Sequence, residues 1–185
     1  MPKPPRTPEV VVVGSFNVDH VWRSDALPPP GATHSGDYAS GPGGKGFNQA
    51  TACARSSAST AFVCALGEDV GGQLARALAN ADAIDLRDQD CDAPTGTAGI
   101  FVDNQGRNSI VVGPGANALL SAEFIEAQQA AIAGAAVTLA QLESPLETVA
   151  VALRLAHEAG RIAMLNPAPA NVALPRELLA LADIL

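Results

Sequence analysis

The sequence predicts an α/β fold in which a parallel sheet lies between layers of helices, and three observations carry that prediction. Short β-branched or apolar runs at 9–14, 60–66, 137–142 and 161–165 read as buried strands. Helix-like segments stand between them, so strand and helix alternate, which implies parallel pairing through right-handed crossovers. Two β-rich excursions, at about 20–40 and 97–113, break the alternation and predict a small separate sheet that covers a site. With 185 residues the chain fits one domain and hardly two.

Each element has a local reason. Residues 1–8 are rich in Pro with two basic residues and read as a flexible tail. The run at 9–14 ends in Gly14 and is too short for a signal-peptide core or a membrane span. Pro28-Pro29-Pro30-Gly31 breaks any helix, so 20–40 reads as a hairpin-like excursion. Residues 41–46 form a Gly-rich loop, followed by an Ala-rich helix over 48–55. Gly71-Gly72 opens a helix reaching about residue 81, with Leu74 and Leu78 on one face. Asp103-Asn-Gln-Gly106 is the turn of a hairpin joining 97–102 to 108–112. Ser121 is a good N-cap for a helix through about residue 133. A helix over 146–159 follows the third strand. Pro175, at a first-turn position, starts a last helix reaching about residue 181. Together these give a Rossmann-like three-layer parallel sheet flanked by helices, with a small β-sheet lid.

Composition removes several function classes. The net charge of −8 leaves no basic footprint for nucleic acid or an anionic membrane. Cys53, Cys64 and Cys91 are odd in number and lack C-x-x-C spacing, which fits a reducing cytoplasm and no disulfide framework. His20, His34 and His157 lie in different elements without metal spacing.

In an open α/β sheet, ligands sit beyond the carboxyl ends of the strands. After the first strand, Gly14-Ser15-Phe16-Asn17-Val18-Asp19 lacks the Gly spacing of a dinucleotide site. It places an amide and a carboxylate two apart, on one side of an extended segment. That pair suits a polyol. Taken alone, Asn17 and Asp19 read better as loop residues satisfying backbone groups. Gly43-Gly44-Lys45-Gly46-Phe47-Asn48-Gln49-Ala50 is not a phosphate P-loop, because Ala39 and Gly46 stand where that loop needs Gly and Ser/Thr. Its glycines allow close ligand approach at a helix N-terminus. Glu143, in Gln141-Leu142-Glu143-Ser144-Pro145, either faces a ligand at the sheet top or caps the following helix. The residues leave that choice open. The two prolines of Leu165-Asn166-Pro167-Ala168-Pro169-Ala170 rigidify a strand exit.

These segments, with Gly113-Pro-Gly-Ala-Asn117, occur in the order found in ribokinases. The chain from about residue 9 to 185 resembles the N-terminal part of a ribokinase, within the ribokinase-like carbohydrate kinase family. Phe47 stands where small residues are common in the motif. The resemblance implies ATP-dependent phosphorylation of D-ribose at O5. It implies that Asn17 and Asp19 hold ribose hydroxyls, that Gly44, Lys45, Gly46 and Asn48 line the sugar pocket, and that Glu143 bonds a further hydroxyl. It also implies ATP, Mg2+ and a monovalent cation such as K+, and a β-lid over 20–40 and 97–113 that often pairs with a second subunit's lid in a homodimer. Residues 9–185 are thus expected to be the N-terminal part of a single sugar-kinase domain.

The family's second signature, Asp-Thr-x-Gly-Ala-Gly-Asp, carries the anion hole and the general-base Asp. It does not occur in these 185 residues. The expectation is a truncated chain with the base and nucleotide site beyond Leu185, inactive in phosphoryl transfer, which depends on positioning and electrostatic stabilisation. Two other readings stand beside it: a non-catalytic sugar-binding or lid-mediated interaction module, and a related kinase with another sugar or nucleoside. A cut sheet also predicts a marginal, aggregation-prone product.

Overall fold

The computed structural model of the protein describes residues 7–170 and 173–185. The expected tail therefore lies largely outside the described residues; of its last two positions, Thr7 is exposed and Pro8 is buried.

Strand β1 (Val10–Val13) is four consecutive valines at the centre of a five-stranded parallel sheet. Between parallel neighbours both faces of a strand are covered, so every position can be apolar. Val11 and Val13 enter one core cluster and Val12 the other, as the two-residue period of a strand requires.

The chain then leaves the sheet through β2 (Asn17–Ser24) and β3 (Asp37–Gly43) and returns as helix α1 (Lys45–Arg55). Strand β4 (Thr60–Gly67) is wholly buried beside β1. Helix α2 (Val70–Ala81) leads to β5 (Asp85–Cys91). Strands β6 (Gly96–Asp103) and β7 (Asn108–Gly113) form the second excursion, which ends in a 3-10 turn over Gly115–Leu119. Two short helices follow, α3 (Ala122–Glu126) and α4 (Gln129–Gly134), then β8 (Val137–Ala140), α5 (Leu146–Glu158), β9 (Ile162–Leu165) and α6 (Arg176–Leu179).

The large sheet has the order β5-β4-β1-β8-β9. Helices α1 and α2 pack on one face around Phe16, Phe47 and Phe62. Helices α3, α4 and α5 cover the other face around Leu153, Ile125 and Ile132. The two excursions join in a second sheet, β3-β2-β6-β7, where β2 pairs antiparallel with β3 and parallel with β6. The three-layer α/β class with a second small sheet is therefore the observed architecture.

Three local expectations need correction. The segment Asp85–Cys91 is a strand that hydrophobic patterning misses. It lies at the sheet edge, where charge is tolerated and discourages edge-to-edge pairing. Arg76 of α2 covers it with ion pairs to Asp88 and Asp90 at 2.6 and 2.7 Å. The single helix expected over 121–133 is two, broken around Gln128, whose amide oxygen takes a hydrogen bond from Arg87 Nη1. No Gly or Pro marks that break. Helix α2 is started by Asp69 and not by the glycines: its Oδ1 accepts from Gly72 N at 2.8 Å.

Asp69 also ties the β4–α2 turn to the root of the second sheet. Thr95 donates to it from Oγ1 and from the backbone N–H, each at 2.7 Å, and Thr95 Oγ1 in turn accepts from Gly67 N. Burial pushes the Asp69 carboxyl upward, but the hydrogen bonds from Thr95, Gly72 and Gly71 outweigh it and hold the carboxyl below its ordinary value of 3.8. A carboxylate lowered in the folded state stabilises above the unfolded value, and that stability is lost as the pH falls through the folded one. Asp69→Ala is expected to cost about 2 kcal/mol at pH 7, from the lost cap and the unpaired Thr95 N–H, and less once the pH is below the folded-state value, where the wild-type carboxyl has lost its charge. Urea unfolding at the two pH values checks this.

Candidate functional site

The carboxyl ends of β1 and β8, the N-terminus of α1 and the inner face of the second sheet meet at one cleft of about 730 Å³. Asn17, Lys45 and Glu143 line it, together with Ile110, Val112, Pro114, Asn117, Leu142 and Pro169. Polar groups thus occupy the floor, and an apolar wall comes from β7 and the loops after β7, β8 and β9.

The floor is built around the start of α1. Gly44 sits at φ 89°, a conformation that favours glycine, and offers no side chain to cap the helix. A Cβ on Gly46 would lie 2.5 Å from Ser15 N and 2.7 Å from the Gly14 carbonyl carbon, so this turn packs directly on the β1–β2 backbone. Phe47 N donates to Ser15 O at 2.9 Å, fixing the helix entry. The Phe47 ring turns away from the cleft into the core, edge-on to Phe16 with centroids 5.0 Å apart.

Glu143 supplies the missing cap from across the sheet. Its Oε2 accepts from Lys45 N at 2.8 Å and from Ser15 Oγ at 2.6 Å. Its Oε1 lies 3.6 Å from Lys45 Nζ. A carboxylate at a helix N-terminus is favoured by the exposed N–H groups and the helix dipole. The sequence left open whether Glu143 faces the sheet top or caps the helix that follows it. The structure puts it in the cleft, capping α1; α5 begins after Pro145 without a side-chain cap.

Asn17 and Asp19 lie in β2 and share one face of it, as their spacing predicts. Asn17 is 4% exposed. The Asp19 carboxylate occupies the space a side chain on Gly43 would fill. Burial raises the Asp19 carboxyl above 3.8, the negative charge of Glu143 adds to the rise, and His20 opposes it. Of the expected side chains, Asn17, Lys45 and Glu143 line the cleft; Asp19, half-buried two residues further along β2, and Asn48, exposed one turn into α1, do not. Gly44 and Gly46 shape the turn beneath the cleft and are themselves buried.

Sequence reasoning missed the apolar wall of Ile110 and Val112, the capping partner Ser15, and Asn117 as a side chain with a role. Position just after a strand was the available signal for Ser15 and Asn117, and the alternation within a lid strand was the signal for Ile110 and Val112. Chemically, the floor offers carboxylate oxygens, an amide and an ammonium beside an apolar wall, the donor and acceptor set that recognises a small polyol. Among the described residues no group of His, Cys, Asp and Glu is arranged to hold a metal ion, and no helix is long and apolar enough to cross a membrane.

A parallel sheet with this floor and a small sheet over it is the arrangement of a sugar kinase, and the chain belongs to the pfkB family of carbohydrate kinases, whose profile matches residues 7–185. Its relatives within that family include ribokinases and, at 30% identity, the deoxyribokinase of Salmonella typhi. It is 41% identical over 181 residues to the bifunctional ribokinase/ribose-5-phosphate isomerase A of Fructilactobacillus sanfranciscensis, covering 96% of this chain and 33% of that protein. It is 39% identical to the ribokinase of Haemophilus influenzae, covering 95% and 58%. The structure of Arabidopsis thaliana ribokinase complexed with ribose and ATP superposes with a TM-score of 0.81 at 31% identity, covering 97% of this chain and 60% of that one. The chain spans between a third and three-fifths of the length of these relatives.

Glu143→Gln separates the charge of this residue from its shape. The amide keeps one acceptor but loses the charge at the helix start, so α1 is expected to be destabilised by about 1–2 kcal/mol. Removing that negative charge also lowers the Asp19 carboxyl pKa, which carboxyl-carbon NMR titration reads directly.

Proposed function

We propose that the chain carries the sugar-binding part of a ribokinase-type kinase that uses ATP to phosphorylate D-ribose at O5. The observation that supports this most is the Glu143 carboxylate: one oxygen is spent on Ser15 and the α1 N-terminus, while the other faces the cleft beside Lys45 Nζ. Glu143 and Asp19 accept hydrogen bonds from sugar hydroxyls, and Asn17 and Lys45 donate to sugar oxygens. The backbone at Gly44 and Gly46 sets the floor, and Asn48, exposed in the first turn of α1, would reach the sugar only if the site closes.

In this reading the small sheet is a lid. Its strands β2, β3, β6 and β7 close over the sugar and exclude water, so that phosphate goes to the sugar and is not lost to hydrolysis. The exposed Val111 of β7, on the face opposite Ile110 and Val112, is the apolar position that a second subunit's lid would cover in a homodimer. Sedimentation velocity tests that contact, and Val111→Glu is expected to weaken it. The reading includes ATP, Mg2+, K+ and a cytoplasmic setting. In this reading the residues at the cleft hold the sugar and are assigned no part in holding the nucleotide or either ion.

The test is calorimetric titration of the 185-residue chain with ribose, 2-deoxyribose, fructose and adenosine, alongside a coupled ATP-turnover assay. Ribose is expected to bind best, with no ribose-dependent ATP turnover, since no Gly-Ala-Gly-Asp segment occurs in the chain. Preference for adenosine would favour the nucleoside alternative, and turnover would contradict the inactivity. The single tryptophan, Trp22, lies in β2 against Phe101 with ring centroids 5.3 Å apart, so its fluorescence reports lid movement in the same titration.

A further inference from the structure

The amide of Asn117 is fixed on three sides. Phe16 N, which can only donate, faces Asn117 Oδ1 at 3.0 Å. Asn117 Nδ2 then donates to Phe16 O at 2.9 Å and to Asn17 Oδ1 at 2.9 Å. A backbone N–H and a backbone carbonyl thus settle which end of Asn117 is oxygen, and through it which end of Asn17 is oxygen. Both side chains are nearly sealed, at 3% and 4% exposure, and both line the cleft. Gly96 makes room for the pair: a Cβ there would fall 2.1 Å from Asn117 Nδ2 and 2.3 Å from Asn17 Oδ1. Among the described residues Asn17 Nδ2 makes no hydrogen bond.

We propose that Asn117 is a positioning residue that locks the carboxamide of Asn17, so that this corner of the cleft presents N–H donors only and selects a ligand oxygen that accepts. This rests on the reading of the cleft as a sugar site. It makes a sharper demand than the sequence did, since an unconstrained amide both donates and accepts. A hydroxyl shared by Asn17 and Asp19 satisfies both at once, accepting from the amide and donating to the carboxylate. An ammonium group, which only donates, fails at Asn17.

The isosteric variant Asn117→Asp reverses the lock. One carboxylate oxygen still accepts from Phe16 N, but the other now faces Asn17, which must turn Nδ2 inward and show its oxygen to the cleft. Ribose affinity of the 185-residue chain at pH 7 is expected to fall at least about tenfold. A ligand-free measurement decides the orientation independently. In 15N-labelled wild-type chain the side-chain NH2 of Asn17 is expected to exchange rapidly with water and that of Asn117 slowly; in Asn117→Asp the Asn17 amide becomes protected. Affinity within threefold of wild type, or a protected Asn17 amide in the wild type, overturns the proposal. If the wild type binds no sugar, the functional reading fails, and the exchange rates still confirm or refute the lock. If the variant does not fold, the wild-type exchange rates alone decide.

Discussion

Asp19→Asn is expected to weaken ribose binding about a hundredfold while making the folded chain more stable at neutral pH. The two effects share one cause. A carboxylate held at the cleft accepts charge-assisted hydrogen bonds worth roughly 1.5–3 kcal/mol each, and an amide in its place loses the charge and one acceptor. The same carboxylate is costly in the absence of ligand, because burial and the charge of Glu143 raise its pKa above 3.8. A raised carboxyl means the folded state binds the proton more tightly than the unfolded one. Stability therefore increases as the pH falls through the raised value, and the ionised group works against folding above it. The variant removes that cost, so its advantage in melting temperature should be greatest near pH 7 and vanish at low pH. Calorimetric binding and melting curves between pH 3 and 7 check both halves. A variant that binds ribose as the wild type does would detach Asp19 from the site.

Gly46→Ala is expected to do the opposite kind of damage. The added methyl would meet backbone at Ser15 and Gly14 at 2.5–2.8 Å, and neither can rotate away. Helix α1 has to back off β1, which costs about 3 kcal/mol or more by the usual toll of overpacking. In a chain of this size that lowers the melting temperature by roughly 6–12 °C. The movement also separates Lys45 N from Glu143 Oε2, now 2.8 Å apart, and pulls Phe47 out of its contacts with Phe16 and Phe62. Ribose affinity should fall with stability. Melting curves and ribose titration of the variant provide the check, and an unchanged melting temperature would show that the turn has more room than its backbone contacts imply.

Much of this architecture was legible because its signals are local. Four valines in a row can only be a strand covered on both faces, and the turns at Pro28–Gly31 and Asp103–Gly106 announce the two excursions. Strand β5 was hidden because an edge strand is free to be charged, and patterning reads Asp85, Arg87, Asp88 and Asp90 as loop. Asp69 was readable as an N-cap from its place before the helix but was passed over for the glycines after it.

The candidate site divides the same way. Asn17, Asp19, Lys45 and Glu143 were visible because each follows a strand or opens a helix. What they do to one another was not. Glu143 caps a helix whose first residue lies 98 positions earlier, and Asn117 reaches back 100 positions to Asn17. Contacts at such separation are made by topology, and no spacing rule within one segment predicts them. Asp19 and Asn48 show the converse: two positions read from sequence lie outside the cleft lining.

Asn17, Asp19, Lys45 and Glu143 are proposed to form one sugar site. Addition of ribose to 15N-labelled 185-residue chain, followed by two-dimensional NMR, tests it most directly. The predicted result is a saturable set of shifts centred on the backbone amides of 15–19, 44–46 and 142–144, with Trp22 and the β7 amides following as the small sheet moves. Saturable shifts confined to another surface, or none at ribose concentrations in the tens of millimolar, would contradict it.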